Sequence, residues 1–172
     1  MKPEIIIWLF PIIFMIHEFE EIIFMRWWLR KNKESILTKY PKLGKRIIGQ
    51  FDSLSTEAFS LIVAEEFLIL SFIVLISAIY SNYDLYIGLV VAYSVHLFVH
   101  VIQAVVIRRY TPALVTTILT GIFCVYAIIK FVKFDLLVFN LSLVYSIILI
   151  FVIFINLNLM HRLAKRIKLL SL

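Results

Sequence analysis

The chain has 172 residues, of which 63% are hydrophobic, and a formal net charge of +6. A soluble domain averages roughly 45–50% apolar residues, and a particle this small cannot hide the excess from water. The composition therefore excludes an ordinary soluble domain and predicts a membrane protein. Its basic residues lie in short segments between long apolar runs, which suits lipid headgroups and argues against nucleic acid as a partner.

Five apolar segments are long enough to cross a bilayer, for which a helix needs about 20 residues. Backbone polar groups must be satisfied in lipid, so we expect helices rather than strands. The segments run over about Glu4–Arg26, Glu57–Tyr80, Tyr83–Ile107, Thr111–Lys130 and Leu136–Met160. The sequence thus predicts an all-α bundle of five transmembrane helices, forming a single domain over residues 1–172.

The connections between these segments predict the orientation. The first, over about 27–56, is long and basic, and we expect short interfacial helices near Ile36–Tyr40 and Lys45–Phe51. The Arg108–Arg109 turn and the C-terminal tail are also basic, and all three fall on one side of a five-helix count. The positive-inside rule therefore predicts a cell-membrane protein with a cytoplasmic first loop and C-terminus and its N-terminus outside.

Ionisable side chains interrupt three of the predicted spans, where each costs roughly 2.5–3.5 kcal/mol at the bilayer centre. Residues 17–21 of the first span read His-Glu-Phe-Glu-Glu. His17, Glu20 and Glu21 share a helix face by their three- and four-residue spacing, whereas Glu18 points away from His17. His96 and His100 share a face of the third span by the same rule.

The polar groups of the three spans also share one depth. Counted from the predicted cytoplasmic ends of the spans at about 1.5 Å per helical residue, His17 and Glu66 lie roughly 13 Å deep, and His100 lies roughly 12 Å deep. Glu65 and Glu66 are neighbours in the second span, which is apolar on every side and gives no reason to choose between them. Because unrelated polar residues would scatter in depth, we predict one cluster in the cytoplasmic half of the bundle.

A dry layer of imidazoles and carboxylates needs a counter-charge, and no Lys or Arg of the five segments lies at that depth. A divalent cation, zinc or iron, is the simplest source, and protonated glutamates are the alternative. Three protein ligands with an open position would suit one zinc, and the carboxylate-rich set is compatible with two metals. The candidate ligands are His17, Glu20, Glu21, Glu65, Glu66, His96 and His100.

The string at residues 17–21, placed in a first membrane helix, resembles the signature of the HXXEE domain family. These are small multi-helix membrane proteins of bacteria and archaea. The Glu65–Glu66 pair, the His96 and His100 pair and the Arg-Tyr-Thr-Pro segment at 109–112 fit the same plan. The resemblance implies a shared site built from His17, Glu20 and Glu21, and it implies no particular reaction.

The pattern favours a membrane-embedded, metal-dependent enzyme with a lipid-like substrate that enters from the bilayer. Zinc would make it a hydrolase and two irons an oxidoreductase, with Glu21 or Glu66 as general base. A proton- or ion-coupled transporter is the alternative, because Glu and His inside helices mark ion paths, although no inverted repeat is present. A non-catalytic partner, such as an assembly or immunity factor, is the third class, and a purely structural metal in it would be fully ligated.

Overall fold

The computed structural model describes residues 1–51 and 54–170, and nearly all of them are helical. The predicted fold class, all-α, is therefore confirmed. The described helices are α1 (Pro3–Lys39), α2 (Pro41–Phe51), α3 (Thr56–Ile79), α4 (Tyr83–Ile107), α5 (Leu114–Lys133) and α6 (Phe139–Leu170).

Four of these helices, α3, α4, α5 and α6 up to Met160, are long and apolar enough to cross a membrane. An exposed apolar surface this extensive is foreign to soluble proteins and typical of a membrane protein. Examples of large apolar side chains on the outside of the bundle are Leu68, Phe72, Val105, Ile122 and Phe151. α1 has the length of a span, but three glutamates interrupt its apolar run.

The first connection differs from its sequence-based prediction. α1 continues past Arg26 to Lys39, and α2 follows almost at once, so most of the expected loop at about 27–56 is helical. The extension of α1 buries Trp28 and Ile36 in a small apolar cluster that also contains Ile107, the last residue of α4. Apolar residues at helical spacing thus continue α1 beyond its predicted end.

α4 is the central helix, packing against α3, α5 and α6, while α1 packs against α2, α3 and α5. Phe10 of α1 contacts Tyr86 and Tyr93 of α4, with ring centroids 5.9 and 5.4 Å apart. The fully buried Tyr86 donates a hydrogen bond to the carbonyl of Ile6 at 3.1 Å. These contacts fix α1 against α4 and bring His17, two turns beyond Phe10, to the level of the α4 histidines.

Candidate metal centre

Three imidazole rings meet between α1 and α4. The ring centroid of His17 lies 5.4 Å from that of His96 and 5.0 Å from that of His100. One nitrogen of each ring lies within 4.8 Å of the others, so the group could hold a metal ion. The three side chains thus meet at the common depth that the sequence predicted for them.

The details of the rings fit a metal with three histidine ligands. His17 is fully buried, and its Nε2 has no hydrogen-bond partner among the described residues. The Nε2 atoms of His96 and His100 are 3.1 Å apart. Two nitrogen ligands of a tetrahedral zinc, each about 2.0–2.1 Å from the ion, would stand about 3.3–3.4 Å apart.

The residues that follow His17 fan out to both of its sides. With about 100° of rotation per residue, Glu20 lies on one flank of His17, and Glu21 and then Glu18 lie on the other. The first flank faces the start of α5, and the second faces a cavity lined from α3, α4 and α6. All three glutamates are buried, Glu20 against the start of α5 and Glu18 and Glu21 at the cavity.

Glu20 hydrogen-bonds to the start of α5 instead of facing the imidazoles. Its Oε2 accepts hydrogen bonds from the backbone N–H and the hydroxyl of Thr116, at 2.8 and 2.7 Å. Its Oε1 accepts a hydrogen bond from the Tyr110 hydroxyl. Burial and this bond to a carboxylate raise the pKa of Tyr110, which lies in the α4–α5 turn, well above its usual value. Glu20, which was predicted as a metal ligand, thus accepts three hydrogen bonds from Tyr110 and Thr116.

Glu18 and Glu21 line the cavity beside the histidines. Glu21 Oε1 lies 3.6 Å from Nδ1 of His100, and Glu18 Oε1 lies 3.8 Å from Nε2 of His96. Glu18, which its position on the helix set apart from His17, therefore belongs to the site, because α4 packs across that flank of α1. Among the residues of the described chain, neither Glu18 Oε1 nor His100 Nδ1 has a hydrogen-bond partner.

The structure separates Glu65 from Glu66. Glu66 lines the same cavity, and its buried Oε1 lacks a hydrogen-bond partner in the described part of the chain. Glu65 points toward α6, where its Oε2 accepts a hydrogen bond from the side-chain amide of Asn156 at 2.9 Å. Of the two, Glu66 is the carboxylate available to the site.

The cavity has a volume of about 290 Å³. Its polar lining, which we call the polar wall, consists of Glu18, Glu21, Glu66, His96, His100, Gln103 and Asn158. A second cavity of about 100 Å³ shares Glu66 and His96 with it and is otherwise almost wholly apolar. Exposed Phe154 lines the first cavity and exposed Val152 the second, so both reach the outer surface of the bundle along α6.

Sequence reasoning missed Thr116 and Asn156, which bond directly to the predicted site glutamates. Thr116 also lies 3.2 Å from Nδ1 of His17 through its hydroxyl oxygen. Both residues are neutral polar side chains in apolar spans, where interhelical hydrogen bonding is the ordinary interpretation. Tyr110 carried a signal, since it falls in the Arg-Tyr-Thr-Pro segment that fits the family plan.

Searches of curated proteins and of solved structures find no match to this chain. A family model described as "Protein of unknown function with HXXEE motif" matches residues 8–129. The match includes α3 and α4 entirely, most of α1 and α5, and every predicted site residue. With His17, Glu20 and Glu21 supplying the named residues of the motif, the chain belongs to the HXXEE family.

Proposed function

We propose that the protein is a membrane-embedded metalloenzyme in which His17, His96 and His100 hold one divalent cation, with zinc as our first choice. The observation that carries the proposal is the convergence of three imidazole nitrogens within 4.8 Å. Three histidine ligands leave a fourth tetrahedral position for water or substrate, which is the arrangement of catalytic rather than structural zinc.

The carboxylates around the rings supply the remaining parts of a hydrolytic site. A bound zinc would lower the pKa of water and polarise a substrate carbonyl or phosphoryl group. Glu66, whose Oε1 is buried and unpartnered within the described chain, is the candidate general base that would accept a proton from water. Glu21, 3.6 Å from His100, is placed to orient that ring, as second carboxylates do at zinc sites.

The cavities favour an apolar substrate, such as a lipid, that enters sideways from the bilayer. The wall of the smaller cavity beyond Glu66 and His96 is built from apolar residues such as Phe14, Ile73 and Leu89. Because Val152 is both exposed and part of this wall, an acyl chain could enter between helices without crossing a polar surface. Its reacting group would then lie at the polar wall.

A two-iron centre is the second candidate, favoured by the number of carboxylates at the cavity. Glu18, Glu21 and Glu66 are three potential anionic ligands beside three imidazoles, and no Lys or Arg among the described residues lines the cavity. Helix bundles that bind two irons use a comparable set of glutamates and histidines. Such a centre would support oxygen chemistry on the same apolar substrate.

In this proposal α1 is the fifth span. The N-terminus lies outside, and the basic first connection, the Arg108–Arg109 turn and the C-terminal tail lie in the cytoplasm. Lys2 and Arg108 are exposed, and Cys124, the only cysteine in the sequence, is buried. Single cysteines placed at positions 2 and 108 of a Cys124→Ala protein should therefore report sidedness. A membrane-impermeant thiol reagent should label intact cells at position 2 and label position 108 only after permeabilisation. The opposite pattern would reverse the topology.

Elemental analysis of the purified protein tests the metal directly. We expect about one zinc per chain, lost when His17→Ala and His100→Ala are combined and retained in His161→Ala, a change of the fourth histidine. About two irons would favour oxygen chemistry. Failure to bind either metal under any loading condition would overturn the proposal and favour a proton relay through the same residues.

A further inference from the structure

We propose that Glu20 is a positioning residue: through Thr116 it holds His17 in the tautomer that carries its proton on Nδ1. The consequence for metal binding rests on the proposed function, whereas the tautomer itself is a property of the metal-free chain. Glu20 would thus orient the metal ligand His17 without itself binding the metal.

The Thr116 hydroxyl has a single hydrogen to donate. Three atoms lie within hydrogen-bonding distance of that oxygen: Glu20 Oε2 at 2.7 Å, the Ala113 carbonyl oxygen at 3.2 Å and His17 Nδ1 at 3.2 Å. The shortest contact is to the carboxylate, and hydrogen bonds to charged acceptors are the strongest. The hydroxyl therefore donates to Glu20.

A hydroxyl that has used its hydrogen offers only lone pairs to its other neighbours. The contact between Thr116 and His17 then forms only if Nδ1 of His17 carries the proton and donates. In a neutral imidazole this leaves the lone pair on Nε2. Nε2 is the atom of His17 that lacks a hydrogen-bond partner among the described residues, so its lone pair is available to the proposed metal ion.

This arrangement gives a physical reason for the spacing between His17 and Glu20. Histidine ligands commonly donate their second N–H to an oxygen that fixes the ring, and that oxygen is in turn held by a hydrogen bond. Residues one helical turn apart on α1 can both reach Thr116, one with its ring and the other with its carboxylate. Tyr110 extends the chain by donating to the second carboxylate oxygen.

A merely structural Glu20 would cap α5 without affecting the protonation site of His17, so the test reads the tautomer. The metal-free protein is labelled with ¹⁵N-histidine, and the His17 signals are assigned by their loss in His17→Gln. We expect nitrogen shifts of an Nδ1–H imidazole in the wild type and in Thr116→Ser. We expect a loss of this preference in Thr116→Val, which keeps the size of the side chain and removes the hydroxyl. We expect it also in Glu20→Ala, which frees the Thr116 hydrogen to be donated to Nδ1.

Zinc affinity, measured by competition with a chelating dye, gives the second readout. Thr116→Val should weaken binding about 10–100-fold, and Thr116→Ser should restore most of it. Thr117→Val is the matched control, because Thr117 is the adjacent buried threonine and its hydroxyl has no partner within the described residues. It should change neither the tautomer nor the affinity.

The outcomes separate this inference from the metal proposal. A proton on Nε2 of His17 in the wild type, or an unchanged tautomer in Thr116→Val, would overturn the role of Glu20 and Thr116. An Nδ1–H tautomer that depends on Thr116, in a protein that binds no zinc, would support the positioning role and overturn the zinc site.

Discussion

The carboxylate of Glu20 accepts a hydrogen bond from the backbone N–H of Thr116 at 2.8 Å and so joins α1 to α5 across 96 residues of sequence. Ala113, the N-cap residue of α5, has a left-handed backbone with φ 73° and no side-chain cap of its own. The first N–H groups of a helix need acceptors, which in most helices a local Ser, Thr, Asp or Asn provides. Here a residue of another helix provides one.

Replacement of Glu20 by Ala should therefore destabilise the fold, whatever its effect on metal binding. The loss of a cap and of the Tyr110 contact is expected to lower the free energy of unfolding by about 1–3 kcal/mol. Unfolding of the metal-free protein in detergent measures the change. Glu18→Ala is the matched control, since Glu18 Oε1 has no hydrogen bond within the described chain. Equal stability of the two variants would contradict the capping role.

Glu65 and Glu66 should respond differently to the same substitution. Glu66→Gln replaces a carboxyl group of the polar wall with an amide, which is a poorer metal ligand and cannot act as a base, and should weaken metal binding or activity. Glu65→Gln keeps an oxygen that can accept the hydrogen bond from Asn156 and should leave both properties unchanged. Zinc titration of the two purified variants makes the comparison. A larger effect from Glu65→Gln would show that the other carboxylate serves the site.

Gly88 lies where α4 and α6 approach each other closely. A Cβ at this position would lie 2.7 Å from Cβ of Tyr145 and 2.9 Å from its backbone carbonyl carbon, so the helices would have to separate. Gly88→Ala should cost about 1–3 kcal/mol, as overpacking does in tight cores. Gly121→Ala is the control, because its nearest contact would be 3.9 Å, and higher helix propensity should make that change neutral or stabilising. Thermal unfolding of the two proteins distinguishes them.

The apolar cavity should bind an acyl chain. A fatty acid with a photoreactive group near its tail should label residues of α3, α4 or α6 that line the cavity, located by mass spectrometry of the peptides. Ala92→Phe places a large ring in the cavity wall and should reduce this labelling several-fold, whereas Ala64→Phe, on the exposed face of α3, should not. Unchanged zinc content would show that the centre survived. Equal labelling in both variants would exclude this cavity as the binding site of the acyl chain.

The sequence by itself determined the apolar helices α3, α4 and α5 and the level of the site. Hydropathy and segment length are local properties, so the positions of α3, α4 and α5 follow from composition to within a few residues. Because every helix rises by about the same amount per residue, the depth of each polar residue could be counted from the predicted cytoplasmic end of its span. That count placed His17 and His100 in one layer, and the structure brings their rings to 5.0 Å.

Only the tertiary structure decided which glutamate faces which neighbour. A helix that is apolar all round has no readable face, so its rotation depends on packing against other helices. That packing turns Glu66 to the cavity and Glu65 to Asn156, and it directs Glu20 to Thr116 while Glu21 and Glu18 line the site. Composition and spacing fix what a membrane helix carries and how deep it lies, but its rotation is set by partners distant in the sequence.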